Sequence, residues 1–151
     1  MITSFLTYIV YFIIYCIIFI VGQGAYLYLG LSPYKKTFAS IQRRELEDVR
    51  PLKLWPYGFT AYGVLMYAYW HFVLHDVIVG KERRWWRVIW NATLFAASVF
   101  VFYNMANHIA FERYSFKLVT RDLIWNAIFY NTIAIIVLAM RSNSEHYENQ
   151  T

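Results

Sequence analysis

The chain has 151 residues, of which 60% are hydrophobic, 21% aromatic and only 15% charged. An ordinary soluble domain carries about 25% charged residues, so the composition excludes that class and indicates a protein of the lipid bilayer. The formal net charge of +5 favours anionic lipid head groups over nucleic acid, because the basic residues lie in short loops beside apolar segments. A nucleic-acid interface would need a basic stripe on a folded surface, and we expect none.

Four apolar segments are each long enough to cross a bilayer, which takes roughly 20 residues at a rise of 1.5 Å per residue. They cover about residues 2–31, 54–79, 88–111 and 118–140, and a tail follows at 141–151. They use most of the chain and leave no room for a second globular domain. The sequence therefore predicts a single all-α domain, a bundle of four transmembrane helices.

The first predicted helix is hydrophobic on every face, as expected for a helix surrounded largely by lipid. Tyr8, Tyr11 and Tyr15 recur at spacings of three and four residues, so their hydroxyls share one face. We expect that face to point toward the other helices, either in aromatic packing or along a proton or ligand path. Gly22 and Gly24 would let a neighbouring helix approach closely.

A basic segment at residues 34–50 separates the first two predicted helices. Gly30 and Pro33 predict the end of the first helix, after which the composition changes abruptly. The basic residues in this segment that we assign to the membrane interface are Lys35, Lys36, Arg43 and Arg44. Such residues favour anionic head groups. The sequence predicts an interfacial helix or a structured loop, and a merely solvated connector is the alternative.

Histidines near the end of the second predicted helix raise the question of a metal site. His71 and His75 lie four residues apart and so share a helix face next to Asp76, a pair that could bind zinc. They could equally be polar side chains at head-group level. At 1.5 Å per residue, His75 and His108 fall in opposite leaflets, and His146 lies in the tail. We therefore expect no metal and no cofactor, since a membrane metal centre needs three or four converging ligands.

A short turn rich in tryptophan and arginine joins the second and third predicted helices. Its aromatic and basic members are Arg83, Arg84, Trp85, Trp86 and Arg87. This composition is typical of the membrane–water boundary and predicts an anchor for both helices. More of the 14 basic residues lie on the side of the 34–50 segment than on the side of this turn and the termini. That asymmetry favours termini outside the cytoplasm.

Polar residues are rare in the last two apolar arms and cluster where the hinge at residues 112–117 joins them. Asn104, Asn107 and His108 lie near the end of the third predicted helix, and Asp122 and Asn126 open the fourth. An acid or amide left bare in hydrocarbon is costly, so we expect these groups to bond with one another across the hinge and lock the hairpin. The functional alternative is a proton relay or polar ligand pocket that uses Asp122 and His108.

These stretches resemble a family of small four-helix membrane proteins with members in bacteria and in some large DNA viruses. The resemblance covers mainly residues 51–140. The family's Tyr-Asp-Leu-Thr-Asn and Asp-x-x-Trp-Gly motifs are matched here by Tyr103, Asn107, Asp122 and Trp125, with Asn104 in place of the acid and Asn126 in place of the glycine. Losing that acid removes one of two ionisable groups and weakens any proposal of acid–base catalysis. The resemblance implies one four-helix unit, adds Tyr103 and Trp125 to the candidate cluster, and supplies no activity.

The sequence predicts a non-enzymatic protein with a structural or assembly role in a membrane. It lacks a nucleophile–base pair, a phosphate-binding glycine loop and converging metal ligands. The expected partners are the bilayer, through its anionic head groups, and other membrane or capsid proteins, and an oligomer is compatible with the pattern. The viral side of the resemblance implies a component of a virion's internal membrane. The alternatives are transport of protons or a small solute, or an accessory subunit of a larger membrane complex.

Overall fold

The architecture is helical throughout the part of the chain that the structure describes. The computed structural model describes the backbone of residues 2–42 and 51–148, and the side chains of residues 5–29, 36–37, 39–41 and 59–143. Within these ranges no strand is present, which confirms the all-α prediction. Three helices are long and apolar enough to cross a membrane: Phe5–Leu29, Trp85–Ala110 and Phe116–Asn143.

Helix α1 spans Ile2–Gln42 and is longer than predicted. The prediction that Gly30 and Pro33 end it is wrong, because proline already has a helical φ and a long membrane helix tolerates the one backbone hydrogen bond it removes. The first part of the basic segment therefore continues α1, with the Lys36 side chain exposed. The Lys35 side chain and all of Arg43 and Arg44 lie outside the described residues.

Helix α2 consists of three consecutive segments, Pro51–Tyr69, a π-helical turn at Trp70–Leu74, and His75–Ile78. It is absent from the three candidate spans among the described residues, because tyrosine, tryptophan and histidine lower its hydropathy. A turn follows in which Gly80 has a φ of 75°, a left-handed conformation that a side chain would disfavour. The backbone N–H groups of Lys81 and Glu82 both donate to the Asp76 carbonyl, at 2.9 and 3.0 Å.

Helix α3 comprises Trp85–Ala96, a π-helical turn at Ala97–Val101, and Phe102–Ala110. Helix α4 spans Phe116–Glu148. Both begin earlier than the predicted bounds of 88 and 118, and α4 continues into the predicted tail. The predicted bounds followed the apolar runs, whereas a helix can begin before its apolar run. The aromatic residues that open α3 and α4 are favoured at the membrane–water boundary, outside the hydrocarbon.

The helices alternate in direction, and α4 packs against the other three. Near the start of α1, the Tyr8 hydroxyl accepts a hydrogen bond of 2.8 Å from Trp70 Nε1, which lies near the end of α2. Further along α1, the Tyr26 hydroxyl bonds to Asp122 near the start of α4. Short turns reverse the chain between α2 and α3 and between α3 and α4. All neighbouring helices in the chain are thus antiparallel.

A cluster of aromatic side chains, which we call the aromatic core, fills the middle of the bundle. Its members are Tyr15, Phe19, Tyr69, Phe129 and Tyr130, all buried. The ring centroids of Tyr69 and Tyr130 lie 4.6 Å apart, edge to face, a geometry worth roughly 0.5–1.5 kcal/mol beyond burial. Tyr15 also donates to the Met66 carbonyl at 2.9 Å. The prediction that the tyrosine face of the first helix points inward is confirmed.

Helices α1 and α4 approach each other closely at Gly22. A Cβ built on Gly22 would overlap Phe129 Cε2 and lie 2.9 Å from Phe129 Cζ. No atom lies within 4 Å of the corresponding position at Gly24. The predicted close contact at the glycine pair is therefore confirmed for Gly22 and wrong for Gly24.

Candidate functional site

A cavity of about 530 Å³ lies between the four helices, within the size range of small-molecule pockets. All four helices contribute to its wall. The lining residues are Gln23, Tyr26 and Leu27 of α1, Ala61, Tyr62 and Leu65 of α2, Val99, Phe100 and Tyr103 of α3, and Asp122 and Asn126 of α4. The cavity thus includes three members of the predicted polar cluster, namely Tyr103, Asp122 and Asn126.

One wall of the cavity is a hydrogen-bonded group, which we call the polar ledge: Gln23, Tyr26, Asp122 and Asn126. Gln23 Nε2 donates to Asn126 Oδ1 at 3.1 Å, and Asn126 Nδ2 donates to the Asp122 carbonyl at 2.8 Å. The Tyr26 hydroxyl donates to the Asp122 carboxylate. All four residues are buried. The ledge therefore joins α1 to α4 through groups that would be costly to leave unbonded in hydrocarbon.

Arg121 places a positive charge beside the acid of the ledge. Its Nε donates to the Tyr26 hydroxyl at 3.2 Å, and its guanidinium carbon lies 5.2 Å from the centre of the Tyr26 ring. An Nη atom lies 4.0 Å from Asp122 Oδ1. The Trp125 ring stacks on the other side of Tyr26 at 4.9 Å and 7°. Carboxylate and guanidinium offset each other's charge, so the ledge carries little net charge.

The remaining predicted polar residues form a second group at the hinge. Asn104 is fully buried; its Nδ2 donates to the Phe100 carbonyl at 2.9 Å, and its Oδ1 accepts from the Tyr114 hydroxyl at 3.2 Å. His108 is exposed, with Nδ1 3.0 Å from the Tyr114 carbonyl. Asn107 is half-buried. This group holds the end of α3 to the hinge.

The prediction that these amides and the acid bond with one another across the hairpin is wrong for Asn104 and Asn126. Asn126 bonds to Gln23 of α1, and Asn104 bonds to Tyr114 of the hinge. The reason is that α1 brings Gln23 and Tyr26 within hydrogen-bonding distance of Asn126 and Asp122. Gln23 and Tyr26 were not among the predicted cluster residues. The signal for Gln23 is that it is a single amide in an otherwise apolar run, next to Gly22, where α1 approaches α4 closely.

Tyr114 stays a hydrogen-bond donor throughout the ordinary pH range. Burial raises its pKa to about 12, and Tyr103, Asp122 and Tyr26 act in the same direction. Next to it, an Arg113 Nη atom donates to the Ser40 carbonyl at 3.3 Å. The hinge is therefore fixed both to α3 and to the end of α1.

The turn between α2 and α3 is organised by Glu82. The backbone N–H of Arg84 donates to Glu82 Oε1 at 3.0 Å and its Nε to the same oxygen at 3.2 Å, while an Arg87 Nη lies 3.5 Å from Oε2. These bonds, the backbone one first, lower the pKa of the Glu82 carboxyl. Both guanidinium groups lie over the Trp86 ring, at 5.9 and 5.3 Å. Arg83 and Trp85 are exposed beside them, so the turn presents a basic aromatic surface.

Histidines do not converge on a metal site in the described part of the chain. The His71 and His75 rings are 6.1 Å apart between centroids, and His75 Nδ1 lies 3.3 Å from Asp76 Oδ1. His75 is near Tyr8 at one end of the bundle, whereas His108 is near Phe116 at the other. Among the described residues, no group of three His, Cys, Asp or Glu side chains is placed to hold a metal ion.

No protein-family model matches this sequence, and neither a curated protein nor a solved structure matches it. The resemblance of the hinge motifs to the four-helix membrane family stays a prediction. The polar ledge, the cavity and the basic aromatic turn are the features that bear on function.

Proposed function

We propose that the protein is a non-enzymatic, multi-pass membrane component with an architectural role. The observation that supports this most is the set of polar bonds between helices. Besides the ledge, the Tyr69 hydroxyl of α2 donates to the Tyr130 carbonyl of α4 at 2.6 Å, and Asn131 Nδ2 of α4 donates to Thr93 Oγ1 of α3 at 3.0 Å. Polar side chains in the apolar segments are thus used to fix helices to one another, which suits a rigid scaffold.

The proposal includes four crossings of the bilayer, with α2 as the fourth. Helix α2 lies alongside α1 from Met66 to Trp70, where Tyr15 and Tyr8 bond to it, and alongside α4 at Tyr69. Pro51–Ile78 is long enough to span, at about 1.5 Å per residue. A helix that packs antiparallel to α1 and parallel to α4, and is buried in the same core, shares the orientation of these two candidate spans relative to the bilayer axis.

The turn between α2 and α3 is suited to contacts outside the bundle. The turn with Arg83, Arg84 and Arg87 presents positive charge together with exposed tryptophans, a combination that favours anionic head groups at the membrane boundary. The same surface suits acidic segments of partner proteins. The family resemblance supports one concrete form of this role, a component of a virion membrane that lies beneath a capsid. An accessory subunit of a larger membrane complex would use the same surface in the same way.

We expect the protein to be recovered from its native membrane, in mild detergent, with a partner in fixed stoichiometry. The double variant Arg84→Gln and Arg87→Gln should release that partner, because it removes the charge that Trp86 and Glu82 hold in place. Light scattering after size exclusion measures the ratio. Lys117→Gln is the matched control, since it neutralises an exposed basic residue at the opposite end of the bundle.

A well-behaved isolated monomer, with no partner in the wild type, would contradict the architectural role. Retention of the partner in the double variant together with its loss in Lys117→Gln would instead place the contact at the hinge.

Transport of protons or a small solute is the second candidate, favoured by the cavity beside the buried Asp122 carboxylate. Against it, the aromatic core lies directly beyond the cavity. Phe100, which lines the cavity, is 5.7 Å from Tyr130 between ring centroids, and Phe19 is 5.9 Å from Phe129. Rings packed this closely leave no room for a chain of water molecules.

In proteoliposomes we therefore expect no proton flux above that of protein-free vesicles, measured with a pH-sensitive dye trapped inside. A flux that Asp122→Asn abolishes would overturn the architectural proposal in favour of transport.

A further inference from the structure

We propose that the cavity binds a neutral lipid alcohol, an amphiphile with one hydrocarbon chain and a hydroxyl head group that enters from the surrounding bilayer. This goes beyond the architectural role and does not depend on it.

Polar and apolar groups occupy different sides of the cavity. The polar ledge forms the side that belongs to α1 and α4. The side that belongs to α2 and α3 is largely apolar and consists of Ala61, Leu65, Val99 and Phe100 with the rings of Tyr62 and Tyr103. An amphiphile would thus place its hydroxyl group against α1 and α4 and its chain against α2 and α3.

The charge of the polar side favours a neutral ligand over an ion. Asp122 is buried, yet its carboxylate has Arg121 and the Tyr26 hydroxyl beside it, so a cation gains little there and would lose its hydration. A carboxylate offers about four lone-pair sites and can accept another hydrogen bond from a ligand. Amides and phenols both donate and accept, which matches a hydroxyl group.

The π-helical turn of α3 contributes to the apolar side of the cavity. Ala97–Val101 is wider than an α-helical turn, and two of its residues, Val99 and Phe100, form part of the cavity wall. The Phe100 carbonyl accepts a hydrogen bond from Asn104 Nδ2, so this carbonyl is not left unbonded beside the chain. Departures of this kind from α-helical geometry occur frequently at functional sites.

The cavity opens toward lipid rather than toward the bundle interior. Two of its lining residues have exposed side chains, Leu27 at 37% and Tyr103 at 52%. On the far side the wall ends at Phe100, which packs on Tyr130 of the aromatic core. A ligand therefore enters sideways from the bilayer and is limited in length by the core.

The test is photolabelling of the intact protein in lipid nanodiscs with a monoacylglycerol that carries a diazirine on its acyl chain. We expect saturable labelling, with adducts on Leu65, Val99 or Phe100. Unlabelled monoacylglycerol should compete about five- to tenfold better than the methyl ester of the same fatty acid, which keeps the chain and loses the hydroxyl donors. A long-chain alkylamine should compete no better than the ester.

The matched variants are Leu65→Trp, which fills the cavity, and Ile128→Trp, which adds the same bulk to an exposed face of α4. The first should abolish the saturable labelling and the second should leave it unchanged. Labelling spread over the lipid-facing residues, without competition, would overturn the proposal, as would preferential competition by the amine. The competition series uses the wild-type protein and decides the question even where Leu65→Trp does not fold.

Discussion

Gly22→Ala should lower the free energy of unfolding by about 1–3 kcal/mol, the usual cost of overpacking a well-filled interior. The new methyl group would collide with the Phe129 ring. That ring is held between Phe19, Trp125 and Tyr130, with centroid distances of 5.9, 5.7 and 5.6 Å, so it has little freedom to withdraw. Unfolding in mixed detergent micelles, followed by circular dichroism, measures the loss.

Gly24→Ala is the control for this substitution and should have the opposite sign. Nothing lies within 4 Å of the new Cβ, and alanine favours a helix over glycine by about 1 kcal/mol. Equal destabilisation by the two changes would show that the contact with Phe129 does not decide the effect at Gly22, since helix propensity favours alanine at both positions.

Tyr26→Phe should lower the free energy of unfolding by about 1.5–3 kcal/mol, the range for a hydrogen bond to a charged group. The phenylalanine ring can keep the stacking on Trp125, so the change is confined to the hydroxyl. Its loss deprives the Asp122 carboxylate of a donor and Arg121 Nε of an acceptor. The carboxylate would lose this donor in a buried setting, whereas the half-buried guanidinium would keep its contact with Asp122.

Tyr28→Phe is the matched control, because Tyr28 is 81% exposed two residues further along α1, and it should be nearly silent. A double-mutant cycle of Tyr26→Phe with Asp122→Asn isolates the coupling between the two side chains. A coupling indistinguishable from zero would mean that the ledge does not hold α1 to α4.

Composition and periodicity predict the parts of this fold that depend on one helix at a time. The apolar runs and the shared face of Tyr8, Tyr11 and Tyr15 follow from composition and spacing along a single segment. The glycine pair predicted a close approach of a neighbouring helix, but only the structure distinguishes Gly22 from Gly24. The tryptophans and arginines of the turn likewise lie outside the packed core, as their amphipathic side chains require.

What the sequence could not predict depends on which helices face each other. Asp122 and Asn126 are polar at the right spacing for contact with the third helix, yet their partners lie on the first, far away along the chain. Spacing shows that two groups share a face but not which helix that face meets. The length of α1 was not predicted either. Pro33 would end a short soluble helix, whereas a long membrane helix tolerates the one backbone hydrogen bond that proline removes.

The wide turn of α3 has a consequence for how that helix presents its two ends. Val88, Ala92 and Ala96 are buried at intervals of four residues, and each such step rotates a side chain about 40° past a full circle in a regular α-helix. By Asn104 the accumulated rotation would reach about 160°, and the amide would point into hydrocarbon. The additional residue accommodated at Ala97–Val101 takes up much of that rotation. The turn thus resets the direction of the side chains around the helix axis. One helix can therefore bring small side chains to α4 at one end and a hydrogen-bonding amide to the hinge at the other.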